Sequence, residues 1–352
     1  LVVTARRLYL DDAPGERRGV VTLDGRPERL LIQRSSMPRP IAGEQWAARV
    51  CRIDRSLAVA FLDLGQGSET LLNLTGDALR LTQGALIAVD IASPARRGKG
   101  PVARFNGLEE GQPRLIAPAP TIEAQLKAFG PGQVINIGPL AREVADLAEA
   151  QVLAIEHGLP GGGSIAIETT RALTAIDVDL GARGGGDPRR AMRQANLSAI
   201  CQAARLIRLK GLAGLVVFDL IGKGHDGEAI MSGVKAAFEP DQPGLVIGPI
   251  SRFGTVELAL PRRQAPTAEF LCEEDGRLSA ESLALRLMRM AEQEARADPG
   301  GQLVLTCASD VAAAAETFLP DLAGRIGPRY DLQPFAEVAS PLGYDYLDVK
   351  SR

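Results

Sequence analysis

Two aspartates, Asp177 and Asp219, each close a short apolar run, and a single amphipathic stretch separates them. If those runs are neighbouring strands, the two carboxylates stand side by side. Asp179, two residues beyond Asp177, faces the same way in an extended chain. Acids gathered in this way repel one another unless a cation joins them. An all-oxygen, open site suits magnesium, which keeps several waters and takes one or two carboxylates. A single aspartate after a strand is ordinarily a solvated loop residue or a helix cap, so the argument rests on the pair.

The elements that must position them are legible. Ala172–Ile176 and Leu215–Phe218 read as buried strands. Between them, Asp187-Pro188 supplies an N-cap and a first-turn proline. Met192, Ala195, Ala199, Ala203, Leu206 and Ile207 recur at helical spacing, and Lys210-Gly211 ends the helix. A strand–helix–strand unit of this length predicts a parallel pair with a right-handed crossover. Both strand ends then lie on one rim of an α/β sheet, where open sheets of this class place their sites. Arg183, Arg189, Arg190 and Arg193 gather at the helix start, which already favours anions. His157 and His225 have no partner at catalytic spacing and are assigned no chemistry.

The stretches LPGGGSIAIETTRALTAIDVD, QANLSAICQAARLIRLKGLAGLVVFDLI and ISRFGTVEL occur in that order and resemble the catalytic core of bacterial ribonuclease E/G endoribonucleases. The resemblance implies a DNase I-like α/β core with magnesium, or manganese in its place, on Asp177 and Asp219. It places Asp179 where the family has a supporting asparagine, and Gly222 where it has a further acid. Arg252 falls near the scissile phosphate, where a guanidinium can hold a phosphate or stabilise developing charge. Phe253 sits beside it on the RNA path. The family joins two subunits through zinc held by a pair of cysteines. Here EFLCEEDG offers only Cys272, so neither zinc nor a zinc-linked tetramer is expected.

The rest of the chain divides by composition. Residues 1–41 alternate as short strands, a reduced ribonuclease H-like remnant on the family's plan. Over 42–106, five short β runs with Gly and Asp punctuation suggest an OB-type barrel, and RVCRIDRSLAVAFLDLG resembles the family's S1-like RNA-binding domain. The resemblance makes Phe61 a surface aromatic on which a base stacks, with Leu71 in place of a second one. Periodicity alone would put Phe61 in the barrel core. Arg96, Arg97 and Lys99 form a basic loop suited to phosphates. Residues 107–158 are a reduced linker with a helix over Pro139–His157, whose loose apolar series is Leu140, Val144, Leu147, Val152 and Ile155. The family's segment that recognises a 5′-monophosphate does not fit in this interval. Residues 159–264 hold the core, 265–279 a degenerate zinc link, and 280–352 a small α/β domain. That last domain opens with a helix over Ala280–Arg296 with Leu283, Leu287, Met290 and Ala291 on its face.

Composition sets outer bounds. The 352 residues are 45% apolar and 24% charged with a net charge of -3, so nucleic-acid contact must come from local patches. Four scattered cysteines have neither disulfide nor metal-ligand spacing, which points to a reducing cytoplasm. No apolar run has membrane-spanning length and no signal-peptide pattern opens the chain. The reading is a magnesium-dependent endoribonuclease acting on single-stranded RNA and leaving 5′-phosphate ends. The alternative is a non-catalytic RNA-binding protein of the same fold. A magnesium phosphoesterase for small nucleotides is a third reading, against which the barrel argues.

Overall fold

The structure is a computed structural model that describes residues 5–37, 39–67, 69–95, 100–181, 187–222, 226–339 and 341–352. In chain order come β1 (Arg6–Ala13), β2 (Glu16–Leu23) and β3 (Arg26–Arg34). Then follow β4 (Gln45–Asp54), β5 (Val59–Asp63), β6 (Glu69–Asn73), β7 (Leu86–Ser93), β8 (Val102–Leu108) and β9 (Arg114–Ala117). Next are α1 (Ile122–Phe129), β10 (Ile135–Asn136), α2 (Pro139–Leu153), β11 (Glu156–Gly158), β12 (Ser164–Thr169) and β13 (Leu173–Asp179). After them come α3 (Pro188–Lys210), β14 (Gly214–Asp219), α4 (Gly227–Phe238), β15 (Val246–Ile247) and β16 (Thr255–Leu260). The chain continues with α5 (Ala268–Leu271), α6 (Ala280–Ala297), β17 (Leu303–Ala308), α7 (Ser309–Ala315), α8 (Leu319–Ile326), β18 (Tyr330–Phe335) and β19 (Leu347–Ser351).

These elements form two compact units. One comprises residues 37–125 and 155–265, the other 1–36, 126–154 and 266–352. In the first, β4 to β8 close into a barrel in the order β4-β5-β6-β8-β7-β4, with β6 and β8 the parallel pair. That order is consistent with an OB-like fold. Its interior is filled by Trp46, Val50, Leu62, Leu72, Ile87 and Val89. Ala60 and Leu62 point inward, so Phe61 between them lies on the outer face, half-buried. Periodicity alone had suggested a core position for this ring.

The same unit holds a six-stranded sheet ordered β11-β12-β13-β14-β16-β15. β13 and β14 are its parallel pair, joined by α3 as the crossover predicts. Asp187 caps α3 by accepting from Arg189 N at 3.0 Å, Pro188 opens it, and Gly211 ends it in the left-handed region at φ 65°. Ile176, Val178, Val216, Phe218, Val256 and Leu258 alternate onto the face that α3 and α4 bury. Ala195, Ala199 and Ala203 let α3 approach closely, and Phe218 meets Phe238 of α4 edge to face at 6.2 Å.

In the second unit, β10-β1-β2-β3 form one sheet and β18-β17-β19 another. Leu283, Leu287, Leu305 and Phe318 lie at the centre of an apolar core around α6. Two helical faces differ from the sequence expectation. In α2, Leu140, Leu147 and the following Ile155 are exposed, whereas Ala141, Ala145, Ala148 and Glu149 are buried. In α6, Met290 is exposed and Met288 is buried instead. The reason for α2 is electrostatic. Glu149 is drawn inside by Arg18, Arg286 and Arg289, at 2.8, 2.7 and 3.4 Å, and the helix turns its alanine side inward with it.

Candidate active site

Parallel pairing of β13 and β14 sets Asp177 directly opposite Asp219 in register. Neighbouring strands lie about 4.8 Å apart, which puts the two carboxylates within reach of one cation. Both residues are exposed, on the sheet face that α3 and α4 leave open. Among the described residues neither is engaged by an arginine or lysine. The strand ends therefore hold a carboxylate pair that no arginine or lysine among the described residues neutralises.

Asp179 behaves differently from its neighbour. Its Oδ1 accepts from Gly181 N at 3.0 Å, committing the side chain to the turn that ends β13. Among the described residues no three His, Cys, Asp or Glu side chains converge as a metal-ligand group. Among the described residues the carboxylates paired in register are Asp177 and Asp219, and Asp179 is engaged by the turn beside them. Gly163, at φ 77°, packs against this turn so closely that a Cβ would lie 2.3 Å from the Asp179 carbonyl oxygen. The glycine run that precedes β12 forms a turn, and this contact is why one of its members cannot carry a side chain.

The loop after Asp219 is clamped from below. Asn196 on α3 is buried and donates through Nδ2 to Ile221 O at 3.1 Å, while its Oδ1 accepts from Ile221 N at 3.0 Å. Sequence reasoning passed over this residue. The readable signal was an amide inside an otherwise apolar helical stripe, because a buried amide must find partners. Gly222 follows at φ 91°, and a Cβ there would meet Met192 Sδ at 2.6 Å. The acid that the family resemblance leads one to look for at this position would strain the backbone here and require Met192 to shift.

Arg252 and Phe253 stand on the same rim. Asp219 is in register with Thr255 of β16, and Leu220 N donates to Gly254 O at 3.3 Å. Ser251 and Thr255 hold the turn shut, through a 2.7 Å hydroxyl contact and a 2.9 Å backbone bond. The Arg252 guanidinium lies 4.8 Å from the Phe253 ring centroid, and that ring is 76% exposed. Both helices are entered from strands that end on this rim, so their partially positive N-termini are set toward it. Arg189 and Arg190 are exposed in the first turn of α3, and Arg193 pairs with Asp226, the cap of α4, at 3.4 Å. Arg183 and His225 lie outside the described residues.

On the barrel, Phe61 is in register with Arg52 on one side and Leu71 on the other. The Arg52 guanidinium lies 3.7 Å from the Phe61 ring centroid. Sequence reading did not single out Arg52, although strand alternation places it on the outer face opposite the ring. Arg96, Arg97 and Lys99 lie outside the described residues. Among the described residues no helix is long and apolar enough to cross a membrane.

Residues 139–263 match the sequence profile of the Ribonuclease E/G family. Over 151 residues the chain is 38% identical to Ribonuclease E of Haemophilus influenzae, a match covering 40% of this chain and 16% of that protein. Ribonuclease E of Escherichia coli is 36% identical over 150 residues, 40% of this chain and 14% of the relative. A ribonuclease E/G-like chloroplastic protein of Arabidopsis thaliana is 34% identical over 122 residues, 33% and 12% respectively. The matched stretch thus spans only a small part of each relative's own length. The segment that carries Asp177, Asp219 and Arg252 is thus similar to the ribonuclease E/G family.

Proposed function

We propose that this chain is an endoribonuclease that cleaves single-stranded RNA with a divalent metal, magnesium or manganese, held by Asp177 and Asp219. The observation that carries the reading is the register pairing of these two exposed, un-neutralised carboxylates beside the Arg252–Phe253 turn. The donor set fits the ion, because two carboxylates with open surroundings match magnesium's preference for few protein ligands and several waters. When bound, such an ion supplies Lewis-acid polarisation of a phosphoryl oxygen and lowers the pKa of bound water.

The chain's own residues do the rest. Asp177 and Asp219 hold their oxygens at fixed strand ends, and Asn196 fixes the loop that follows. Arg252 presents a planar guanidinium to a phosphate, with hydrogen bonds that strengthen as charge develops. Phe253 offers an exposed ring face for a base, worth about 1–3 kcal/mol. Arg189 and Arg190, together with Arg183, Arg97 and Lys99, contribute charge along the strand's path. Phe61 supplies a stacking surface on the OB-like barrel.

The core is read as DNase I-like and residues 1–41 as a reduced ribonuclease H-like remnant, with RNA processing or decay in the cytoplasm as the setting. Cys272 has no second cysteine in its turn, so the purified protein should carry no stoichiometric zinc and form no zinc-linked tetramer. Metal analysis finding one zinc per pair of chains would contradict this. The deciding test is cleavage of unstructured RNA with magnesium and with chelator, run on wild type and Asp219→Asn. Magnesium-dependent cleavage lost in the variant supports the enzyme. RNA binding without cleavage in either protein moves the reading to a non-catalytic RNA-binding member of the family.

A further inference from the structure

A cleft of about 740 Å³ opens where the outer face of the barrel meets the segment following β16, within the same compact unit as the carboxylate pair. Its walls carry Asn73 and Asp77 from one side of the barrel, Ser93 and Arg104 from the other, and Arg262 from the segment after β16. Arg104 and Arg262 are exposed, and neither guanidinium has a partner among the described residues. Arg263 is held back by the chain, since its Nη2 donates to Asp241 O and Pro243 O at 2.9 and 2.8 Å. That anchoring fixes the backbone from which Arg262 projects. Asp77 is the carboxylate among the lining residues, against the two free guanidiniums.

The cleft is continuous with the Phe61 face. Register runs Arg52, Phe61, Leu71, Val102 across β4, β5, β6 and β8, and one outward step along β8 from Val102 is Arg104. A strand lying on Phe61 therefore meets Leu71 next and the cleft after it. β16 runs from Thr255, the register partner of Asp219, to Leu260 at the opposite end of the sheet. The rise per strand residue places Arg262 about 20 Å from the carboxylates along that direction. The cleft is too far from the carboxylates to take part in chemistry there.

We infer that this cleft is a separate phosphate-backbone site, in which Arg104 and Arg262 hold the part of a single-stranded RNA that extends past Phe61. The inference rests on the proposed function above. It explains why two guanidiniums on separate elements have no partner among the described residues while their neighbour Arg263 is tied to backbone carbonyls. The cleft compensates for the platform narrowed by Leu71, replacing stacking with charge.

The test measures binding of labelled oligouridylates of about 4 and about 16 nucleotides, the two ends of the site-size range of one OB fold. Chelator prevents cleavage, and salt is varied. Arg104→Ser with Arg262→Ser should weaken the longer oligonucleotide at least several-fold and lower its logarithmic salt slope by about 1.4, two phosphates' worth on a single strand. The shorter one, held at Phe61, should bind as before. The Arg104→Lys and Arg262→Lys pair should keep the slope. An unchanged slope in the serine variant, or equal losses for both lengths, would overturn the cleft. Wild type that binds neither length would overturn the proposed function as well.

Discussion

Glu149 and Asp219 are both acids set in place by neighbouring elements, yet their surroundings are opposite. Glu149 is buried with Arg18, Arg286 and Arg289 around it, in a unit where Arg18 also reaches Asp11 at 2.6 Å and Asp146 at 2.7 Å. Asp219 is exposed, faces another aspartate in register, and has no cation beside it among the described residues. A carboxylate already neutralised by guanidiniums has nothing to gain from a metal and serves to fix its elements together. A carboxylate pair left bare retains mutual repulsion that a cation would relieve. The same functional group is structural in one unit and available for chemistry in the other, and the difference is made by which arginines the fold brings near.

The comparison breaks most visibly at Arg18. Arg18→Met keeps bulk but takes from Glu149 and Asp11 the buried guanidinium that they share, and should cost about 3–5 kcal/mol in urea unfolding. Unchanged stability would show that the network is dispensable. The network also predicts a pH dependence. Burial pushes Glu149 upward, but Arg289, Arg18 and Arg286 outweigh it and hold the carboxyl below its ordinary 4.5. A depressed acid stabilises the fold above its unfolded value and loses that contribution as pH falls through the folded one. Wild type should therefore lose stability on acidification below about pH 4.5, and Arg18→Met should lose less over that window.

At the rim the signs reverse. Asp219→Asn should remove about 4 kcal/mol of transition-state stabilisation, roughly a thousandfold in cleavage rate. Because it relieves a like-charge pair, its stability should be unchanged or higher by up to about 1 kcal/mol. Adding Asp177→Asn should cost little more, since the two act as a unit. Cleavage at wild-type rate in Asp219→Asn, free of contaminating nuclease, would end the metal-site reading.

Smaller effects sharpen the contrast. Asn196→Ala strands the Ile221 amide and carbonyl, and should cost about 1–3 kcal/mol in stability. It should also slow cleavage about 10–100-fold with a raised magnesium requirement, whereas a purely structural role would leave that requirement unmoved. Arg193→Ala breaks an exposed pair with Asp226 and should change stability by no more than about 1 kcal/mol. A larger loss would mean that this pair holds the α4 cap in place.

The carboxylate pair was legible in the chain because two apolar runs, a capped helix and a glycine stop leave one sensible topology. That topology alone brings Asp177 opposite Asp219. The helix boundaries, from Asp187 to Gly211, follow from local chemistry in the same way. Motifs in the central segment carried the family resemblance, and alternation over short strands carried the barrel. Other features depended on contacts between residues far apart in sequence. Phe61 could be assigned to the outer face only once β4, β5 and β6 were paired around a filled interior. The inward face of α2 was decided by Arg18, distant in sequence, which makes burial of Glu149 favourable and leaves Leu140 and Leu147 outside. Asp179 is distinguished from the Asp177–Asp219 pair by a hydrogen bond to a turn, and Asn196 is engaged by the loop folded over it. Periodicity records which face of an element is apolar on average. Which polar groups that face can bury is decided by the partners that tertiary packing delivers, because a buried charge or amide is tolerated only where those partners complete it.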